Sequence, residues 1–263
     1  MTIPCVAAYF NEPTPLQCAS YGGKLVEICT NGKDEAGLRE MLASGLSPNA
    51  CNMHGETIMH KVCRLGHYNM LKIFLEYGGH IQICDAQGRT LLHDTCWGAR
   101  PSVRIFTLLL LNDPNLLFTA DCRGATPLEY VRKEDYKNWI NFFQTYGEKL
   151  WPKLQTLPPV SRLWNEPPYS RPIMDPPNAL TCELAGMVAS GWLKPKDALV
   201  LMTPRSTGDD GESDDESTDS YESDDDSDDS EDESSGSEES LSDCSYGTEP
   251  DMEMLQELGV ILV

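Results

Sequence analysis

Two stretches of this chain repeat almost the same pattern 33 residues apart: Thr57 and His60 in "TIMH" return as Thr90 and His93 in "TLLH", and Cys63 returns as Cys96. A fixed period of this length is the mark of a stacked array, in which no single unit buries its apolar side and neighbouring units bury it for one another. Each unit reads as a glycine-bearing turn ("MHGE", "AQGR", "CRGA"), a short helix starting near a threonine, and a second helix with apolar residues at helical spacing, as in "YNMLKIFLEYG". Glycine permits the tight turn, and the threonine hydroxyl satisfies free N–H groups where the helix begins. The expected fold is all-α, a helix-turn-helix repeat solenoid. Leu71, Ile73, Phe74 and Leu75, with Phe106, Leu108, Leu109 and Leu110, are its core candidates. His60 and His93 are expected to hydrogen-bond across their turns. They sit a whole repeat apart, and no carboxylate and cysteine cluster completes a metal site around them.

Several in-phase positions resemble the ankyrin-repeat family. "SPNACNMHGETIMHKVCRLGH" is similar to that family's turn and TPLH-type helix start, with Asn49 closing the preceding unit and Gly66-His67 between the helices. "RGATPLEYV" opens a further unit at Arg123, "DEAGLREMLASGLSPN" resembles the second helix of an earlier one, and "TPLQCASYGG" at Thr14 reads as a damaged repeat start or an N-terminal cap. The array, with its irregular N-terminal unit, is assigned to residues 1–147. Thr90 and Thr126 are 36 residues apart, and Glu129 takes the place of the repeated histidine, so the last unit is expected to pack less regularly.

The resemblance implies a protein partner received on the turn tips and on the concave face of the first helices. Carried over position by position, the tips are Met53, His54 and Glu56, then Gln87 and Arg89, then Arg123. The helical stripe is Lys61, Arg64 and Leu65, then Asp94 and Trp97, then Tyr130 and Lys133. Arg64 and Trp97 occupy equivalent places on adjacent units, and such a pair on an outward surface can anchor an interface. Alternatively, Trp97 folds over a neighbouring loop.

Beyond the array the composition changes. Residues 148–177 are proline-rich, with Leu150, Trp151 and Trp164 as apolar anchors. They read as a strap packed on the array, or as a docking peptide offered to another protein. Residues 178–205 read as a short helical cap, giving the solenoid an irregular C-terminal cap.

The net charge of −22 belongs to residues 206–263: 23 of the 42 acidic residues and none of the 20 basic ones lie after Arg205. Residues 206–250 are therefore expected to form a disordered acidic, serine-rich tail. Ser213, Ser223, Ser230, Ser235 and Ser240 each have an acid three residues on, the pattern of acid-directed phosphorylation. The tail repels nucleic acid and anionic membrane and suits basic proteins such as histones; it could also compete for the basic stripe at Lys61, Arg64 and Lys133, or simply solubilise. Residues 251–263 end in Leu255, Leu258, Ile261 and Val263, spaced like a nuclear export segment or like the apolar face of a docking helix.

Ten cysteines form no CxxC pair, and the N-terminus lacks a basic region followed by an apolar run. The expected setting is intracellular, cytoplasmic or nuclear, with shuttling if the export reading holds. No apolar stretch is long enough for a membrane span. Phosphate-loop, nucleophile-elbow and HExxH patterns are absent from the sequence. The reading is a non-enzymatic interaction module or adaptor without cofactor or obligate metal. The alternative is an acidic-tail binder of basic proteins with a mainly structural array.

Overall fold

The computed structural model describes residues 3–4, 9–98, 102–156 and 173–202, with side chains for 9–98, 102–147 and 173–202. The expected phosphorylation serines, the acidic tail, the terminal apolar motif and most of the proline-rich stretch lie outside these residues.

Three helix pairs follow the repeat. They are α2 (Gly23–Asn31) with α3 (Glu35–Ala43), α4 (Ile58–Leu65) with α5 (Tyr68–Glu76), and α6 (Leu91–Trp97) with α7 (Val103–Asn112). The first helices pack in a row, α2 on α4 on α6, and the second helices form a parallel row, α3 on α5 on α7. Local chemistry sets their ends. The carboxylate of Asp34 and the hydroxyl of Ser102 accept first-turn N–H groups of α3 and α7, and α4 stops at Gly66, whose φ of 78° is the left-handed cap that glycine adopts without strain. Between the rows lie Leu25, Leu38, Ile58, Met59, Met70, Phe74, Leu91 and Phe106, all buried, each contributing roughly 1.5–3 kcal/mol through its transfer from water. The core candidates from the repeat pattern are all buried except Leu75, which is half-buried.

The fourth unit is incomplete, in line with the longer spacing before Thr126. Its first helix is a single 3-10 turn, Pro127–Tyr130, packed on α6, and the extra residues before it form another, Pro114–Phe118. The helix α8 (Tyr136–Thr156) then covers the far end of the stack. Phe106 of α7 meets Trp139, Phe142 and Phe143 edge-on, with centroids 4.7, 5.6 and 5.8 Å away. The helix α8 runs past residue 147, beyond where the strap was expected to begin.

The C-terminal cap closes the opposite end of the stack from α8. Ahead of the first repeat lies α1 (Pro15–Ala19); α9 (Cys182–Ser190) packs on α1 and α2, and α10 (Pro195–Met202) packs on α3. Hydrogen bonds sew this return in place. The Leu180 N–H donates to the Gly45 carbonyl at 3.1 Å, the Asn178 amide to Ala43 at 2.9 Å, and the Thr14 hydroxyl to Asp175 at 2.8 Å. Gly45 has φ of 106°, and a Cβ there would stand 2.1 Å from the Asn178 carbonyl oxygen, so the approach requires glycine.

The N-terminal segment has no counterpart in the sequence reading. A short strand β1 (Ile3–Pro4) pairs in parallel with β2 (Thr119–Ala120), and Tyr9 donates its hydroxyl to the buried Asp113 at 2.9 Å.

Candidate protein-interaction face

Each turn tip is built on one side chain. Asn52, Asp85 and Asp121 each turn their Oδ1 inward to accept two backbone N–H groups from the tip that follows, at 2.8–3.1 Å. The glycine of each tip, Gly55, Gly88 and Gly124, has φ between 71° and 85°. Adjacent tips are also bonded: the Ala86 N–H donates to His54 O and the Cys122 N–H to Gln87 O, both at 2.9 Å. The tips therefore form a continuous ledge with fixed backbone. Sequence reasoning missed these three anchors, although they recur in phase with the threonines.

The repeated histidines join consecutive units. The Thr57 N–H and hydroxyl face Nδ1 of His60 at 3.1 and 2.9 Å, which makes that nitrogen the acceptor and leaves Nε2–H to donate to the Arg89 carbonyl at 3.0 Å. Thr90 and His93 repeat the arrangement, with Nε2 reaching Ala125 O at 3.1 Å. Burial pushes His93 down to about 4, so its imidazole is neutral at physiological pH. At the next unit Glu129 accepts from the Thr126 N–H and hydroxyl, so the helix start is kept. A carboxylate has no second ring nitrogen with which to reach onward.

Above the histidines lies a ladder of arginines and aromatic rings. The Arg64 guanidinium stands 4.9 Å and that of Arg89 5.5 Å from the centroid of the Trp97 ring, and Tyr130 meets the same ring edge-on at 6.3 Å. Arg123 continues the row, 5.8 Å from the Tyr130 ring centroid and donating to its hydroxyl at 2.6 Å. Each cation is held at its edge by an acid: Arg64 by Glu56 and by Asp94 at 2.9 Å, Arg89 by Asp85 at 2.6 Å, Arg123 by Asp121 at 3.3 Å. Burial opposes the charge on Arg64, but Asp94 and Glu56 outweigh it and hold the guanidinium above its ordinary range. Burial raises Tyr130 to about 12, with the bond to Asp121 adding to it.

Several of the residues expected on this face meet in the ladder: Glu56, Arg64, Arg89, Trp97, Arg123 and Tyr130. Trp97 is 37% exposed, so it is neither a core residue nor covered. Met53 is 91% exposed at its tip; His54 and Gln87 are exposed on theirs; Lys61 is half-buried, and Leu65 is exposed beside Arg64. Lys133 is exposed on the turn Lys133–Asp135, just beyond the ladder. Asp94 departs from the expected outward stripe. It is wholly buried, because the close packing of α4 on α6 places its carboxylate beneath Arg64. Burial raises its pKa, with the Arg64 guanidinium offsetting this only in part, and its contribution to the face is to position Arg64.

Cys29, Cys63 and Cys96 are buried in the helices with their thiols pushed up by burial, which keeps them protonated and unreactive. Among the described residues no group of three or more histidine, cysteine or acidic side chains is placed to hold a metal, and no helix is long and apolar enough to cross a membrane.

A family profile of ankyrin repeats, in three copies, matches residues 25–117, the span of the three complete helix pairs. Over 63 residues, 24% of this chain, the sequence is 43% identical to an ankyrin repeat-containing protein of Schizosaccharomyces pombe, and the match covers 30% of that protein's length.

Proposed function

Because the chain belongs to the ankyrin-repeat family through residues 25–117, a family of non-enzymatic protein-interaction scaffolds, we propose that it is an adaptor whose concave face and turn tips receive a partner protein. The observation that carries this reading is the Arg64–Trp97–Arg89 stack. Its rings and guanidinium groups are fixed by surrounding acids, yet Trp97 remains 37% exposed. A rigid tryptophan flanked by arginines loses little entropy when covered, which is why these residue types dominate binding energy at interfaces. Met53, Leu65 and Tyr130 extend the surface along and above the tips.

The acidic tail supports a second role. With 23 acidic and no basic residues after Arg205, it suits a basic protein surface such as a histone tail, and phosphorylation at Ser213, Ser223, Ser230, Ser235 or Ser240 would add about 1.5 to 2 negative charges each. The test is quantitative recovery of partner proteins from cell extract on the full chain, a Trp97→Ala variant, and a chain with its tail acids changed to amides. Partners lost with Trp97→Ala and kept by the neutralised tail support the face. Partners lost only with the neutralised tail, and released by salt, make the tail the binder and the array its support.

A further inference from the structure

Helix α10 buries its smallest apolar residue and shows its largest. Ala198 is fully buried, whereas Leu199, Leu201 and Met202 are 43, 63 and 40% exposed, and Trp192, in the turn before the helix, is 84% exposed. Leu199 and Met202, one turn apart, share a side of this helix of eight residues, with Leu201 next to Met202; large apolar side chains left in water there are costly, and such a patch marks a surface that something covers.

We propose that the apolar terminus of the same chain, Leu255–Val263, docks on this face of α10. The described structure ends at Met202, the last residue of the exposed helix, so the covering segment is joined to the surface by residues 203–250. A flexible tether of that length would span about 40 Å root-mean-square, and more under the repulsion of its own acids, so the local concentration is at most on the order of millimolar, enough to hold a contact whose intrinsic affinity is only about 0.1 mM. The segment suits the surface in both pattern and charge. Leu255, Leu258, Ile261 and Leu262 recur at helical spacing, while Asp251, Glu253 and Glu257 lie among them without a base. Opposite them, the exposed Lys194 stands just before α10, while Lys196 within it meets Glu40 at 3.5 Å and is followed by the exposed Asp197, so the basic attraction rests on Lys194. A second copy of the chain is the weaker occupant: each carries a net charge of −22, and bringing two tails together opposes association, whereas closure within one chain adds no second tail.

The test uses the full chain at low micromolar concentration with a photoactivated benzoylphenylalanine at position 258, its adducts mapped by mass spectrometry. Adducts within one chain on residues 192–202, lost on Leu201→Asp, are expected. In parallel, hydrogen exchange of α10 amides is compared with that of a Leu258→Asp, Ile261→Asp variant, and should be about tenfold slower in the parent chain. Both substitutions lie outside the array, so its thermal midpoint serves as the control. Adducts only elsewhere, or equal exchange in both proteins, overturn the proposal. Adducts between two chains that grow with concentration also overturn it, giving α10 to a second copy.

Discussion

His60 and His93 stand at equivalent points of adjacent repeats and do the same work, whereas Glu129, at the next equivalent point, does half of it. All three satisfy the threonine that opens a first helix, but only the histidines then reach the loop of the following unit. Up to this point the first helices are α-helical and closely packed; beyond it the unit shrinks to a 3-10 turn and α8 takes over with aromatic packing. A repeat array propagates only while each unit presents its successor with both an apolar face and a satisfied loop. The change of one nitrogen-bearing ring to a carboxylate coincides with the place where propagation stops.

The largest expected effect is at the histidine junctions. His60→Ala leaves a buried threonine N–H and the Arg89 carbonyl without partners as well as a cavity, and should cost about 4 kcal/mol in urea unfolding. Glu129→Ala, on an exposed turn, should cost about 1 kcal/mol or less. Equal costs at the two sites would break the comparison. Next is the ladder: Arg64→Met strands the buried Asp94 and should cost about 3 kcal/mol, while Arg123→Met, at the exposed end, should leave the unfolding midpoint unchanged.

Acid sharpens the contrast further. Folded His93 titrates at about 4, below its ordinary 6.5. Between these values the unfolded chain binds a proton that the folded chain does not, so stability is complete above 6.5 and falls with falling pH. The slope approaches about 1.4 kcal/mol per pH unit and levels off near pH 4. His93→Gln, which keeps one acceptor and one donor, should remove this component from the difference between unfolding curves measured at several pH values; an unchanged pH dependence would mean that His93 is not held neutral. Trp97→Ala should cost only about 1 kcal/mol from lost stacking, which separates binding loss from unfolding in the partner assay.

The site was legible wherever a residue's role is local and repeats in phase. The threonine and histidine pairing, the left-handed glycines and the Arg64–Trp97 neighbourhood follow from positions that recur every 33 residues. Asp94 was misplaced because its position on the helix wheel suits the exposed stripe, and only the neighbouring unit, with Arg64 lying over it, buries it. Asn52, Asp85 and Asp121 carried a readable signal, since turn acids and amides bond the backbone two residues on, but it was overlooked beside the stronger TPLH-like pattern.

The sequence by itself determined the unit and its stacking, because helix starts, turns and apolar spacing act over a few residues and a period of 33 leaves each unit incomplete without the next. Only the tertiary structure decided which end α9 and α10 cover, where β1 pairs, and which side chains of the ladder face solvent. These depend on contacts between residues more than a hundred positions apart, such as Tyr9 with Asp113 and Thr14 with Asp175. Local pattern makes a segment apolar or extended, but the choice among the surfaces that could receive it depends on the shape those surfaces take once the array has formed.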